Sequence, residues 1–134
     1  MDDIVIDTHI VIWYFTGPKM QSNPAQSAIV KAQESGSVIY VPSITIVELT
    51  YLIEKNRVPA DVAVKLREAL DDDTTAFSLV ELTRGVADDV QRIDRSIVGD
   101  MPDRIIAATA LHLGLPLITS DGNIQKLTNV ETIW

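Results

Sequence analysis

Apolar residues along this chain fall into two rhythms that alternate from one end to the other. Short unbroken runs, of strand length, give way to stretches where apolar positions recur every three or four residues. Ile4, Val5 and Ile6 form the first run, in a predicted strand over 3–7. Residues 38–41 form the second, 77–82 the third and 115–119 the fourth, with 130–133 as a short fifth. Between them lie helical patterns. Asn23-Pro24 reads as an N-cap followed by proline at the first helical position. Ala25, Ala28, Ile29 and Ala32 then make its stripe, and Gly36 ends it.

Ser43 or Thr45 is the candidate cap of the next helix, with Thr45 and Glu48 at capping-box spacing. Val47, Leu49, Leu52 and Ile53 belong to its apolar face. Pro59 opens a further helix with Val62, Leu66, Ala69 and Leu70 inward, and Asp71, Asp72 and Asp73 read as a solvated loop after it. Val86, Val90, Ile93 and Ile97 predict one amphipathic helix. A nearly all-apolar helix spans 103–113, with Gly114 as its C-cap. There is no repeat, low-complexity tract or linker signature. Strands alternating with helices predict a three-layer α/β/α sandwich around a central parallel sheet of four to five strands, as a single domain over 1–134.

Composition changes little in that picture. Apolar residues are 46% and charged residues 22% of 134 positions, an ordinary globular balance. No apolar run approaches the roughly 20 residues of a membrane helix, and the N-terminal run lacks the basic leader of a signal peptide. With no Cys there is no disulfide framework and no thiolate chemistry. The expectation is a cytoplasmic protein. A net charge of −8 excludes a surface that binds nucleic acid everywhere. Any nucleic acid has to be held at a local site, by a metal and by groups such as Lys19, Lys55, Arg57 or Arg104.

The candidate chemistry lies in four acids set in apolar surroundings: Asp7, Glu48, Asp103 and Asp121. Ligands of a parallel sheet bind beyond the carboxyl ends of its strands. Asp7 and Asp121 end the first and fourth predicted strands. The helix bearing Glu48 starts at that same edge, and the helix opened by Asp103 runs down before the fourth strand runs up. All four acids therefore converge. Carboxylates gathered in an apolar setting need a cation, and hard oxygen donors select Mg²⁺ or Mn²⁺. Such ions activate water and stabilise charge on a phosphodiester. Thr8 and Thr119 are candidates to orient the carboxylates. Arg104 suits either a substrate phosphate or an ion pair. Trp13, Tyr14 and Phe15 suit either base stacking or core. His9 and His112 are poor catalytic candidates.

The segments VIDTHIVIW, ITIVELTYL and PDRIIAATALHLGLPLITSD resemble the signature segments of PIN-domain ribonucleases, in particular the VapC-like toxins of toxin–antitoxin pairs. The resemblance runs from Asp3 to Trp134, with weaker anchoring over 59–98. It implies metal-binding roles for Asp7, Glu48, Asp103 and Asp121, and a hydroxyl role for Thr119. It further implies Mg²⁺- or Mn²⁺-dependent cleavage of RNA leaving a 3′-hydroxyl and a 5′-phosphate, a homodimer, and a cognate antitoxin that occludes the site. Asn123 departs from the pattern, because some relatives carry an acid there. The alternatives within the fold are a non-toxin RNA-processing nuclease and a silent metal- or RNA-binding module. A haloacid-type phosphatase needs an acid where His9 stands, and a receiver module needs acids and a late Lys that are not in register.

Overall fold

A computed structural model describes residues 2–134. Five parallel strands, β1 (Ile4–Ile6), β2 (Ile39–Pro42), β3 (Phe77–Val80), β4 (Leu117–Ile118) and β5 (Thr132–Ile133), form one sheet in the order β3-β2-β1-β4-β5. Among the described residues six α-helices accompany them: α1 (Thr8–Thr16), α2 (Asn23–Glu34), α3 (Ile44–Glu54), α4 (Asp61–Asp71), α5 (Arg84–Asp89) and α6 (Met101–Leu113). Val5 stands opposite Tyr40 on one side and Leu117 on the other, so β1 is the central strand.

Side chains of a strand point alternately to the two faces, and β1 divides its residues accordingly. Ile4 and Ile6 join the core beneath α1, α2, α3 and α4, whereas Val5 joins the core beneath α5 and α6. In β4, Ile118 belongs to the first core and Leu117 to the second. Both faces are covered, as the unbroken apolar runs require. Each fully buried Val, Leu or Ile contributes roughly 1.5–3 kcal/mol relative to exposure. The predicted α/β/α sandwich is the observed fold, with five strands.

Local differences from the sequence reading have identifiable causes. Helix α1 follows β1 without a loop, where the apolar pattern suggested only an aromatic cluster. Its cap is Asp7, whose carboxylate accepts the Ile10 N–H at 3.1 Å. Tyr14 and Phe15 turn inward onto Phe77. Ser22 caps α2 by accepting the Ala25 N–H at 3.3 Å, which places Asn23 inside the helix. Ser43 precedes α3 without capping it and accepts the Leu82 N–H instead. Thr45 is wholly buried inside α3 and forms no capping box with Glu48, and Val47 is exposed.

The helix expected through Val86, Val90, Ile93 and Ile97 breaks. α5 stops at Asp89, tightens into a single 3₁₀ turn over Val90–Arg92, and gives way to an extended Ile93. Asp94 then accepts the backbone N–H and the hydroxyl of Ser96, a side-chain turn that competes with helix continuation. Arg104 seals the break. Its Nη2 donates to the carbonyls of Val90 at 3.0 Å and Ile93 at 2.8 Å.

Arg104 thus makes no ion pair among the described residues, and Nη2 serves the backbone rather than a phosphate. We expect Arg104→Met, which keeps the aliphatic stem, to cost about 1–3 kcal/mol by stranding those two carbonyls. Urea unfolding would show a lowered midpoint with an unchanged slope. An unchanged midpoint would deny the residue this role.

Candidate active site

The sheet order reverses between β1 and β4, and a crevice opens beyond the carboxyl ends of strands at such a switch point. Asp7 directly follows β1, and Asp121 lies three residues past the end of β4. Glu48 sits in the second turn of α3. Asp103 sits in the first turn of α6, where the helix dipole favours a negative charge. The four predicted acids come from four separate segments to this one edge.

Hydroxyl groups hold two of them. The Thr119 hydroxyl, wholly buried, donates to Oδ2 of Asp7, and its oxygen accepts the Asp121 N–H at 3.1 Å. One side chain thereby ties the end of β4 to the end of β1. On the other flank the buried Thr8 hydroxyl donates to Oε1 of Glu48 at 2.6 Å and contacts Oγ1 of Thr45 at 3.1 Å. Asp121 has a local task as well. Its Oδ1 accepts the N–H groups of Asn123 at 2.8 Å and Ile124 at 2.9 Å, fixing the turn after β4.

The electrostatics show that the acids act on one another's charge. Burial, followed by the charges of Asp100, Asp121, Glu48 and Asp7, pushes the Asp103 carboxyl up to about 7. Burial likewise pushes Asp7 up, against hydrogen bonds from Thr119 and Ile10 and the pull of His9. No Lys or Arg pairs with any of the four acids among the described residues. This is mutually repelling negative charge without a Lys or Arg counter-ion. No three His or acidic side chains of the described residues stand at the separations of a formed metal site. The fit to a divalent cation rests on the donor chemistry, all hard oxygen, and on the uncompensated charge.

Two participants were not legible as such in the sequence. Asp100 caps α6 through the Asp103 N–H at 3.2 Å, and its charge is the largest single influence on Asp103 from a neighbouring acid. Only its place in the cap pattern before Pro102 signalled it. Thr45 was read as a cap and lies instead against Thr8. The two histidines lie apart. His9 is exposed beside the site, with its ring 5.8 Å from Trp13, which in turn lies 5.8 Å from Trp134. His112 contacts Asp89 at 2.9 Å and covers Gly85, where an added Cβ would lie 2.7 Å from its ring.

Comparison with known proteins agrees with the fold. The PIN domain model matches residues 4–130, and this chain belongs to the PIN domain family. Ribonuclease VapC22 of Mycobacterium tuberculosis is 29% identical over 136 residues, covering all of both chains. VapBC2 from Rickettsia felis, solved on a promoter DNA fragment, superposes with a TM-score of 0.71 at 15% identity, over 97% of this chain and 96% of that one. A toxin–antitoxin complex from Klebsiella pneumoniae gives 0.62 at 23% identity, over 95% and 94%. The solved structures share the fold.

A carboxyl raised by folding weakens the folded state once it ionises. From about pH 4 to about pH 7 folded Asp103 holds a proton that the unfolded chain has lost, so stability falls as pH rises. Allowing for solvent screening of this half-exposed group, Asp103→Asn should raise the melting temperature of metal-free protein by about 4 °C at about pH 8. The gain should vanish near about pH 4, where folded Asp103 is already neutral. Calorimetry in chelator at both pH values tests this, and equal shifts at the two would contradict it.

Proposed function

We propose that this chain is a Mg²⁺- or Mn²⁺-dependent endoribonuclease that hydrolyses RNA phosphodiester bonds and acts as the toxin of a type II toxin–antitoxin pair. The observation that carries the reading is the meeting of Asp7, Glu48, Asp103 and Asp121 with no Lys or Arg paired to them among the described residues. The full-length similarity to a ribonuclease supports the reaction class. The likeness to chains solved in toxin–antitoxin complexes supports a cognate antitoxin as partner.

The four carboxylates would hold the cation, which when bound supplies Lewis-acid stabilisation of phosphate charge and a more acidic water. The chain's own residues do the rest. Thr119 aims Asp7 and fixes Asp121 through its backbone, Thr8 aims Glu48, and the α6 N-terminus with its Asp100 cap presents Asp103. Positioning of this kind is what pre-organised phosphoryl chemistry requires. No helix among the described residues is long and apolar enough to cross a membrane.

Purified protein should cut RNA only with Mg²⁺ or Mn²⁺ present. Asp7→Asn and Asp103→Asn should each lower cleavage by about 100-fold or more, because each removes a charge that no other group replaces. Calorimetric titration of Mn²⁺ should show weakened binding in both. Metal binding without cleavage of any RNA would favour the silent binding module. Cleavage insensitive to both variants would overturn the assignment.

The homodimer belongs to the same proposal. Val47 and Tyr51 on α3 and Met101 at the start of α6 are exposed, and they line an apolar groove of about 350 Å³ that reaches Glu48. Contiguous exposed apolar surface marks an interface, and a two-fold pair buries the same patch on both copies. Tyr51→Glu should convert the dimer to a monomer in light scattering. A variant that stays dimeric would place the interface elsewhere.

A further inference from the structure

Thr45 lies outside the four-acid set, yet it is wholly buried at the base of that set with its hydroxyl against Thr8. Proton counting decides what it does there. The Thr8 hydroxyl has one proton to give and two partners within reach, Oε1 of Glu48 at 2.6 Å and Oγ1 of Thr45 at 3.1 Å. A carboxylate only accepts. If Thr8 gave its proton to Thr45, two oxygens 2.6 Å apart would face each other with no proton between them. The Thr8 proton therefore goes to Glu48, and Thr45 donates to Thr8. The chain of donation runs Thr45 to Thr8 to Glu48.

Each link lies on a different piece of the scaffold from the one it serves. Thr8 begins α1, next to the cap Asp7, while Thr45 and Glu48 share α3 three residues apart. Positions i and i+3 lie on one helix face, so α3 grips Thr8 from two points at once. The grip fixes the Thr8 rotamer and locks α1 to α3 at the carboxyl edge. Donors in series also strengthen one another. Val in place of Thr45 would keep the shape and remove the hydroxyl that donates to Thr8.

We propose that Thr45 is a positioning residue of the metal centre. It orients the Thr8 hydroxyl, and through it holds Glu48 in the pose that receives the cation. This rests on the reading of the site as a metal-dependent nuclease. It makes Thr45 a determinant of metal affinity rather than of substrate binding.

The test is a double-mutant cycle on the full chain, with Thr8→Val, Thr45→Val, the double variant and Thr45→Ser, each read two ways. By Mn²⁺ titration, Thr45→Val should weaken binding by about 5- to 10-fold, at or below the lower end of the usual range for groups that orient metal ligands. Thr45→Ser should restore it, and Thr45→Val should add nothing once Thr8 is Val. Under saturating metal the RNA KM should stay unchanged. By urea unfolding in chelator, the midpoint loss of the double variant should be smaller than the sum of the single losses.

Wild-type Mn²⁺ affinity in Thr45→Val, or a full Thr45→Val effect in the Thr8→Val background, would overturn the relay. If the wild-type chain binds no Mn²⁺ at all, the metal-centre reading fails. The role of Thr45 at a metal centre fails with it. The unfolding cycle then still decides whether the hydroxyl chain exists, with additive losses counting against it.

Discussion

A buried carboxylate with no basic partner is the constraint around which this molecule is arranged. Asp7 sits at the end of the central strand, almost wholly removed from water, where ionisation is costly. The cost is offset in part by local donors rather than by a salt bridge. The Ile10 N–H occupies one oxygen and the Thr119 hydroxyl the other. The first of these bonds starts α1, and the second ties β1 to the end of β4. The same side chain therefore caps a helix, joins two strands and lies at the head of the acid cluster.

Two of the other acids repeat this economy with different donors. Glu48 takes the Thr8 hydroxyl, Asp121 takes two backbone N–H groups of the following turn, and Asp103 lies on a helix start capped by Asp100. Asp7, Glu48 and Asp121 are oriented by neutral groups, which cancel none of the charge of the cluster. Neutral orientation separates this arrangement from a structural ion-pair network, in which charge is cancelled as it is placed. Cations elsewhere in the protein do pair conventionally, as Lys65 does with Asp61 one helical turn away. Arg104, the basic residue next to Asp103 in sequence, is drawn off to the carbonyls of Val90 and Ile93.

The fold was legible because its signals are local and redundant. Four strand-length apolar runs and their intervening helical periodicities specify an alternating α/β chain, and the alternation alone brings strand ends and helix starts to one edge. Asp7, Glu48, Asp103 and Asp121 could be assigned to that edge without side-chain detail. Where local signals compete, the reading failed. Val86, Val90, Ile93 and Ile97 have a helical period, yet the Asp94–Ser96 turn and the reach of Arg104 from α6 end the helix early. In α3, Thr45 and Glu48 have capping-box spacing, yet both turn toward Thr8, 37 positions or more away in the chain.

Period and order of elements thus determined the layers, the parallel sheet and the edge at which four acids gather, since these follow from burial patterns of neighbouring residues. Tertiary structure alone decided that β1 lies between β2 and β4, that Thr119 and Thr8 are the donors to Asp7 and Glu48, and that Asp100 adds to the charge around Asp103. Hydrogen bonds and charge–charge forces act over a few ångströms between atoms far apart in sequence. Their partners are set by how the layers pack, and no periodicity in the chain encodes that.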